Sequence, residues 1–225
     1  MALDLAIVLA CSQGWAPPTV RVFAFVPHCL SLGRNQDEPW LLERCKSLGI
    51  PWARRPTGGG AVLHAGDVCF SVVAPANDSK VGGSVRRSYC QISEAVVWAL
   101  AAVGLDRVEI CQGPPPTVRG GICFATSAPW EVTAQGAKLV GHAQWRHRGV
   151  ILHQGVIRMR GDTALETQLF GRSLGPDLCE LLGQEVSYSN MVEALRRGFA
   201  KALNLELVSG RLTGREMELA LALAS

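Results

Sequence analysis

The sequence predicts an α+β (mixed α/β) fold, built on a mixed or mostly antiparallel sheet with flanking helices. Three observations carry that expectation. Short apolar stretches such as VRVFAFV (20–26), VCFSVVAP (68–75) and VILHQGVIRM (150–159) have the length or alternation of strands. One long stretch, 84–105, repeats apolar residues at helical spacing. Helices and strands follow each other irregularly, which argues against regular βαβ winding.

Taken in order, the chain opens with a predicted amphipathic helix from Leu3 to about Cys11, with Leu5 and Leu9 on one face. The strand 20–26 ends at Pro27, and SLGRNQDEP reads as a polar loop. WLLERCKSLG (40–49) is a short helix that Gly49 stops. AVLH and VCFSVVAP are strands on either side of a turn at 65–67. The helix 84–105 has Gly104 as its stop. VEICQG is a strand, PPPTVRGG a stiff loop and ICF a second apolar stretch. WEVTAQGAKLVG predicts a hairpin turning at Gln135-Gly136, followed by a small-residue turn Gly141-His142-Ala143 and the strand 150–159. TALETQLFG, PDLCELLG, SNMVEALRRGFAKAL and GREMELALALA are helical. The 225 residues hold neither a repeat nor a linker, and one domain spanning 1–225 without an accessory domain is expected.

Composition narrows the function. A net charge of +3 is too weak to argue for nucleic acid, and no stretch approaches the length of a membrane span, so a soluble cytoplasmic protein is expected. IVLAC (7–11) resembles a lipoprotein cleavage box, but no basic residue precedes it and Asp4 interrupts the apolar run. The eight cysteines show no CxxC pair, so neither a metal site nor a disulfide framework is expected; they read as reduced, mostly buried thiols. Only four of the 22 basic residues are lysines, which leaves few tunable amines, because arginine keeps its proton.

The stretch RRPTGGGAVLH places three glycines where strands should be. A phosphate loop would need Lys-Ser/Thr and a helix after the glycines, and a dinucleotide fingerprint needs a different spacing. What remains is either a main-chain cradle, in which Gly58, Gly59, Gly60 and Arg55 face a carbonyl or carboxylate, or a wide hairpin loop with no ligand.

RRPTGGGAVLH, the later K-x-x-G-x-A-Q and then L-H-x-G-x-I together resemble the catalytic domain shared by lipoate-protein ligases, lipoyl/octanoyl transferases and biotin-protein ligases. PPTVRVFAFVPHCLSLGRNQ and SYCQISEAVVWAL fit the same family, and the resemblance covers roughly 2–207. It implies that fold, with the acyl chain or lipoyl ring lying on the glycine loop. The binding residues it implies here are Arg55, Gly58, Gly59, Gly60, His64, Gly141, His142, Ala143 and His153, with Lys138 at the acyl carbonyl. Two departures stand out. Ala65-Gly66-Asp67 follows His64 where an acidic residue often comes directly, and His142 stands where many relatives have serine.

One branch of the family forms a thioester on a cysteine in a Cys-Phe dipeptide shortly before the lysine hairpin. Cys123-Phe124 stands in that place, which implies Cys123 as nucleophile and Lys138 as the cation that favours its thiolate. The implied reaction moves octanoyl from acyl carrier protein through Cys123 to a lysine of a lipoyl domain or of the glycine-cleavage H protein, with no cofactor. An ATP-dependent lipoate ligase with an incidental Cys123, and a non-catalytic acyl binder, are the alternatives. His64 and His153 are open between substrate contact and hydrogen-bonded sheet positions, while Phe124, Trp130 and Trp145 are candidate tunnel walls or core. Arg146-His147-Arg148 is a solvated turn or a contact for an acidic carrier.

Overall fold

The computed structural model of the protein describes residues 1–113 and 121–224; most of the predicted proline loop lies outside them. Its helices are α1 (Ala2–Ser12), α2 (Pro39–Leu48), α3 (Val85–Ala102), α4 (Thr163–Phe170), α5 (Leu178–Leu182), α6 (Tyr188–Leu203) and α7 (Gly214–Ala224). The strands are β1 (Thr19–Phe23), β2 (Cys29–Leu32), β3 (Trp52–Arg54), β4 (Val62–His64), β5 (Val68–Pro75), β6 (Val108–Ile110), β7 (Val132–Ala134), β8 (Ala137–His147) and β9 (Val150–Ile157). Six strands form an antiparallel sheet in the order β1-β5-β9-β8-β7-β6. Three form a smaller mixed sheet, β3-β2-β4.

The central strands β5 and β9 are buried on both faces, which is why they read as nearly unbroken apolar runs. Phe70, Val72 and Ala74 pack with Ile92, Val96, Leu195 and Phe199 of α3 and α6. The opposite face is covered at one end by Ile7, Val8 and Cys11 of α1, and at the other by Leu30, Leu32 and Val62 of the small sheet. Ser84 caps α3 by accepting from the Arg87 N–H, and Gly104 follows its end at φ +94°.

Several sequence expectations need correction. SLGRNQDEP is not wholly a loop: Ser31 and Leu32 belong to β2, and Trp52–Arg54 adds a parallel strand beside it. These strands are too short to display a period. Leu5 and Leu9 are only half-buried, and α1 instead buries Asp4 with Ile7, Val8 and Cys11. Asp4 accepts from Arg21, from Ser71 Oγ at 2.8 Å and from Gln154 Nε2 at 2.6 Å, so a residue that interrupts the apolar pattern is a paired core carboxylate. Gly141-His142-Ala143 is no turn either, because β8 runs straight through it to His147. The Gln135-Gly136 turn is as expected, both residues having positive φ. All eight cysteines are unbridged. Among the described residues, no helix is long and apolar enough to cross a membrane.

Candidate active site

A cavity of about 670 Å³ is lined from both sheets. Strand alternation places Cys69 of β5, Gln154 and Val156 of β9, and Gly141 and Ala143 of β8 on the face that borders it. Ser31, Val62 and His64 come from the small sheet, and Phe23 and Phe25 add aromatic wall. Arg55, the three glycines, Cys123, Lys138 and His142 also line it. Of the residues expected at the site, only His153 is absent from the wall.

The glycine run has two different reasons. Gly59 sits at φ +87°, a conformation that side chains disfavour. Gly60 permits close backbone approach: a Cβ there would lie 2.7 Å from Gly121 O and 2.8 Å from Cys123 N. The Ala61 N–H donates to Gly121 O and the Cys123 N–H donates to Ala61 O, so the loop is stitched to the segment that carries the thiol. Gly58 faces open space. Arg55 donates from Nη2 to Gly58 O and Gly60 O, each at 2.7 Å, and from Nη1 to Ser31 O. Its guanidinium therefore shapes the glycine loop. Burial lowers the Arg55 pKa, and the charge on an ionised Cys123 raises it. Gln154 pins the loop from below, accepting from Thr57 Oγ1 at 2.8 Å while donating to Asp4.

Cys123 opens a single 3-10 turn, Cys123–Ala125, and is half-buried. Lys138, near the start of β8, donates to Cys123 O at 2.5 Å and Thr126 O at 2.9 Å, and its Nζ lies 3.6 Å from Cys123 Sγ. Gly141 makes room for the sulfur, since a Cβ there would stand 2.6 Å from it. That close approach is why β8 carries a glycine. No pattern in the chain singles out Glu131, whose Oε2 is 2.7 Å from Lys138 Nζ. Burial raises the Glu131 pKa and the adjoining ammonium opposes the rise. The lysine is thus a buried cation with a dedicated counter-ion and two carbonyls, and the sulfur is its most distant neighbour.

His142 and His153 turn toward α3, where Tyr89 meets both rings and the His142 Nε2 lies 3.5 Å from Ser93 Oγ. One set of tautomers satisfies the chain: Gln144 Nε2 donates to His153 Nδ1, His153 Nε2 to His142 Nδ1 at 2.7 Å, and His142 Nε2 to Trp130 O at 2.9 Å. Burial pushes the His142 pKa down to about 4 and that of His153 well below its ordinary value, so both stay neutral near pH 7. His153 therefore lies behind His142, hydrogen-bonded within the sheet and away from the cavity wall. Through Trp130 the pair fixes the residue next to Glu131. Neither Phe124, Trp130 nor Trp145 lines the cavity; Phe124 is core and Trp145 stacks on His147.

His64 lines the other side of the cavity. Its Nδ1 is 2.7 Å from Asp67 Oδ2 and its Nε2 is 2.9 Å from Ser31 Oγ. The acidic partner missing directly after the histidine is thus supplied three residues on, across the turn into β5.

A family description, Lipoyl protein ligase A/B catalytic domain, matches residues 1–200. The octanoyltransferase LipM of Kyrpidia tusciae is 36% identical over 241 residues, covering 98% of this chain and 88% of that protein. The LipM of Moorella thermoacetica is 34% identical, covering 96% and 86%. A lipoate-protein ligase A solved with ATP superposes with a TM-score of 0.79 at 26% identity, covering 99% of this chain and 87% of that one. A T. acidophilum protein solved with bound lipoic acid gives a TM-score of 0.80, also at 26% identity, with coverages of 99% and 87%. Matched by that family description over residues 1–200 and by relatives 34–36% identical across nearly its whole length, the chain belongs to the lipoyl protein ligase A/B catalytic-domain family.

Proposed function

We propose that the protein is an octanoyltransferase of lipoate biosynthesis that carries octanoyl on Cys123. The observation that carries this reading is the half-buried Cys123 thiol, with Lys138 Nζ 3.6 Å from its sulfur, on the wall of a 670 Å³ cavity. That volume lies within the range of small-ligand pockets, roughly 300–1,000 Å³, and the apolar residues Phe23, Phe25, Ile122, Val62 and Val156 suit an alkyl tail.

In the first half-reaction, the Cys123 thiolate attacks the thioester carbonyl of octanoyl acyl carrier protein. The tetrahedral intermediate collapses and expels the phosphopantetheine thiolate, which takes up the proton that Cys123 released, leaving octanoyl on sulfur. One thioester replaces another, so the step is nearly neutral in energy and needs no ATP. The Lys138 ammonium favours the attacking thiolate and the negative oxygen that follows. Glu131 keeps that ammonium in place. In the second half-reaction the ε-amine of a lysine, on a lipoyl domain or the glycine-cleavage H protein, attacks the acyl carbon. It loses a proton and releases the Cys123 thiol. An amide forms from a thioester, which is downhill.

The likeness to a ligase solved with ATP favours one rival, an ATP-dependent lipoate ligase. Both activities can be measured side by side. The transferase reading expects octanoyl to reach a lipoyl domain from acyl carrier protein with ATP absent, and no lipoate-dependent pyrophosphate release. Pyrophosphate release without ATP-free transfer would replace it with the ligase reading, and inertness in both assays would leave an acyl-binding protein.

A further inference from the structure

Beside the cavity lies a second group of ligating side chains to which the proposed transfer steps give no role. His64 on β4, Asp67 in the turn and Cys69 on β5 converge, although their spacing shows none of the cysteine pairs that mark metal sites in sequences. His64 Nδ1 to Asp67 Oδ2 is 2.7 Å, Cys69 Sγ to His64 Nδ1 is 3.4 Å, and Cys69 Sγ to Asp67 Oδ2 is 3.9 Å. A circle through three atoms at those separations has a radius of about 2.0 Å, so a point about 0.9 Å off their plane lies about 2.2 Å from each. That is within about 0.2 Å of the Zn²⁺ bond lengths to imidazole nitrogen, carboxylate oxygen and thiolate sulfur.

We propose that His64 Nδ1, Asp67 Oδ2 and Cys69 Sγ bind one zinc-class divalent cation, with the fourth ligand taken from the cavity. A thiolate and an imidazole select zinc over magnesium or calcium, which prefer oxygen alone. The charges balance: the Cys69 thiol gives up its proton to solvent, and the thiolate and carboxylate together match the two positive charges of the ion. His64 keeps one proton by moving it to Nε2, which faces Ser31 Oγ at 2.9 Å. That hydroxyl already accepts from Arg55 Nη1 and has a second lone pair for the ring N–H, so an orienting partner is in place. His64 and Cys69 both line the cavity, so the remaining coordination position opens into it. A bound ion occupies space that an acyl chain would use, and zinc therefore inhibits acyl loading.

The test is titration of the whole protein with Co²⁺, reading the thiolate-to-cobalt charge-transfer absorption, then displacement with Zn²⁺. The expected result is a band that saturates at one equivalent, is bleached by Zn²⁺, persists in Cys90→Ser and disappears in Cys69→Ser. Asp67→Asn should weaken Co²⁺ binding about tenfold or more, and it decides the matter if Cys69→Ser does not fold by circular dichroism. Absence of the band in wild type, its survival in folded Cys69→Ser, or unchanged affinity in Asp67→Asn would overturn the proposal. The absorption needs no turnover, so its outcome is independent of the transferase assay.

Discussion

Two cysteines border the same cavity and are prepared for opposite fates. Cys69 is 2% exposed on the central strand β5, and burial first, then the Asp67 carboxylate, holds its pKa well above the ordinary thiol value. It rests as a protonated thiol. Cys123 is half-buried at a 3-10 turn, with an ammonium 3.6 Å from its sulfur and a glycine where a side chain would collide with it. The residue type is shared, and the charge beside each sulfur differs in sign. An anion on sulfur gains from a neighbouring cation and loses from a neighbouring carboxylate.

The sharpest way to break this contrast is to exchange the losses. Cys123→Ala should lower octanoyl transfer by roughly a thousandfold or more, whereas Cys69→Ala should retain a covalent adduct; transfer assays with a lipoyl domain check both. Lys138→Ala should fold and slow acylation at pH 7 by about tenfold or more, which single-turnover acylation would measure. An unchanged rate at pH 7 would remove the ammonium from the argument. Gly141→Ala should displace the sulfur and slow acylation by about tenfold to a hundredfold with little change in acyl affinity, as stopped single-turnover mixing would show.

The smallest expected effect on transfer comes from the histidine pair, whose influence is on stability. The His142 pKa falls from an ordinary 6.5 to about 4 on folding, so between those values the unfolded chain binds the proton first. The stability belonging to neutral His142 is complete above pH 6.5 and is lost as pH falls toward 4, a cost on the order of 3 kcal/mol. Denaturant melts from pH 7 to 4 should show this slope, and His142→Asn should lessen it, His153 keeping its own share.

The pattern of residues was a good guide wherever structure is local. The α3 period, the Gln135-Gly136 turn and the long apolar runs of β5 and β9 each announce themselves within one stretch of chain. Cys123, Lys138 and the glycine loop were legible only through the combined family motifs. Glu131 was not, because a glutamate in an apolar run has no period of its own and gains meaning only when β7 and β8 pair. Asp4 and Gln154 were missed for the same reason: a buried polar network is assembled across 150 positions of chain. Sequence shows which groups are available and not which backbone carbonyls or rings already occupy them, as the Arg55 contact with Gly58 O and the His142–His153 pair illustrate.

The most direct test of the central claim is intact mass measurement after mixing the protein with octanoyl acyl carrier protein, without ATP, for wild type and Cys123→Ala. The account predicts one octanoyl group on the wild type, removed by hydroxylamine and mapped to Cys123, and none on the variant. A hydroxylamine-sensitive adduct that persists in Cys123→Ala would contradict it.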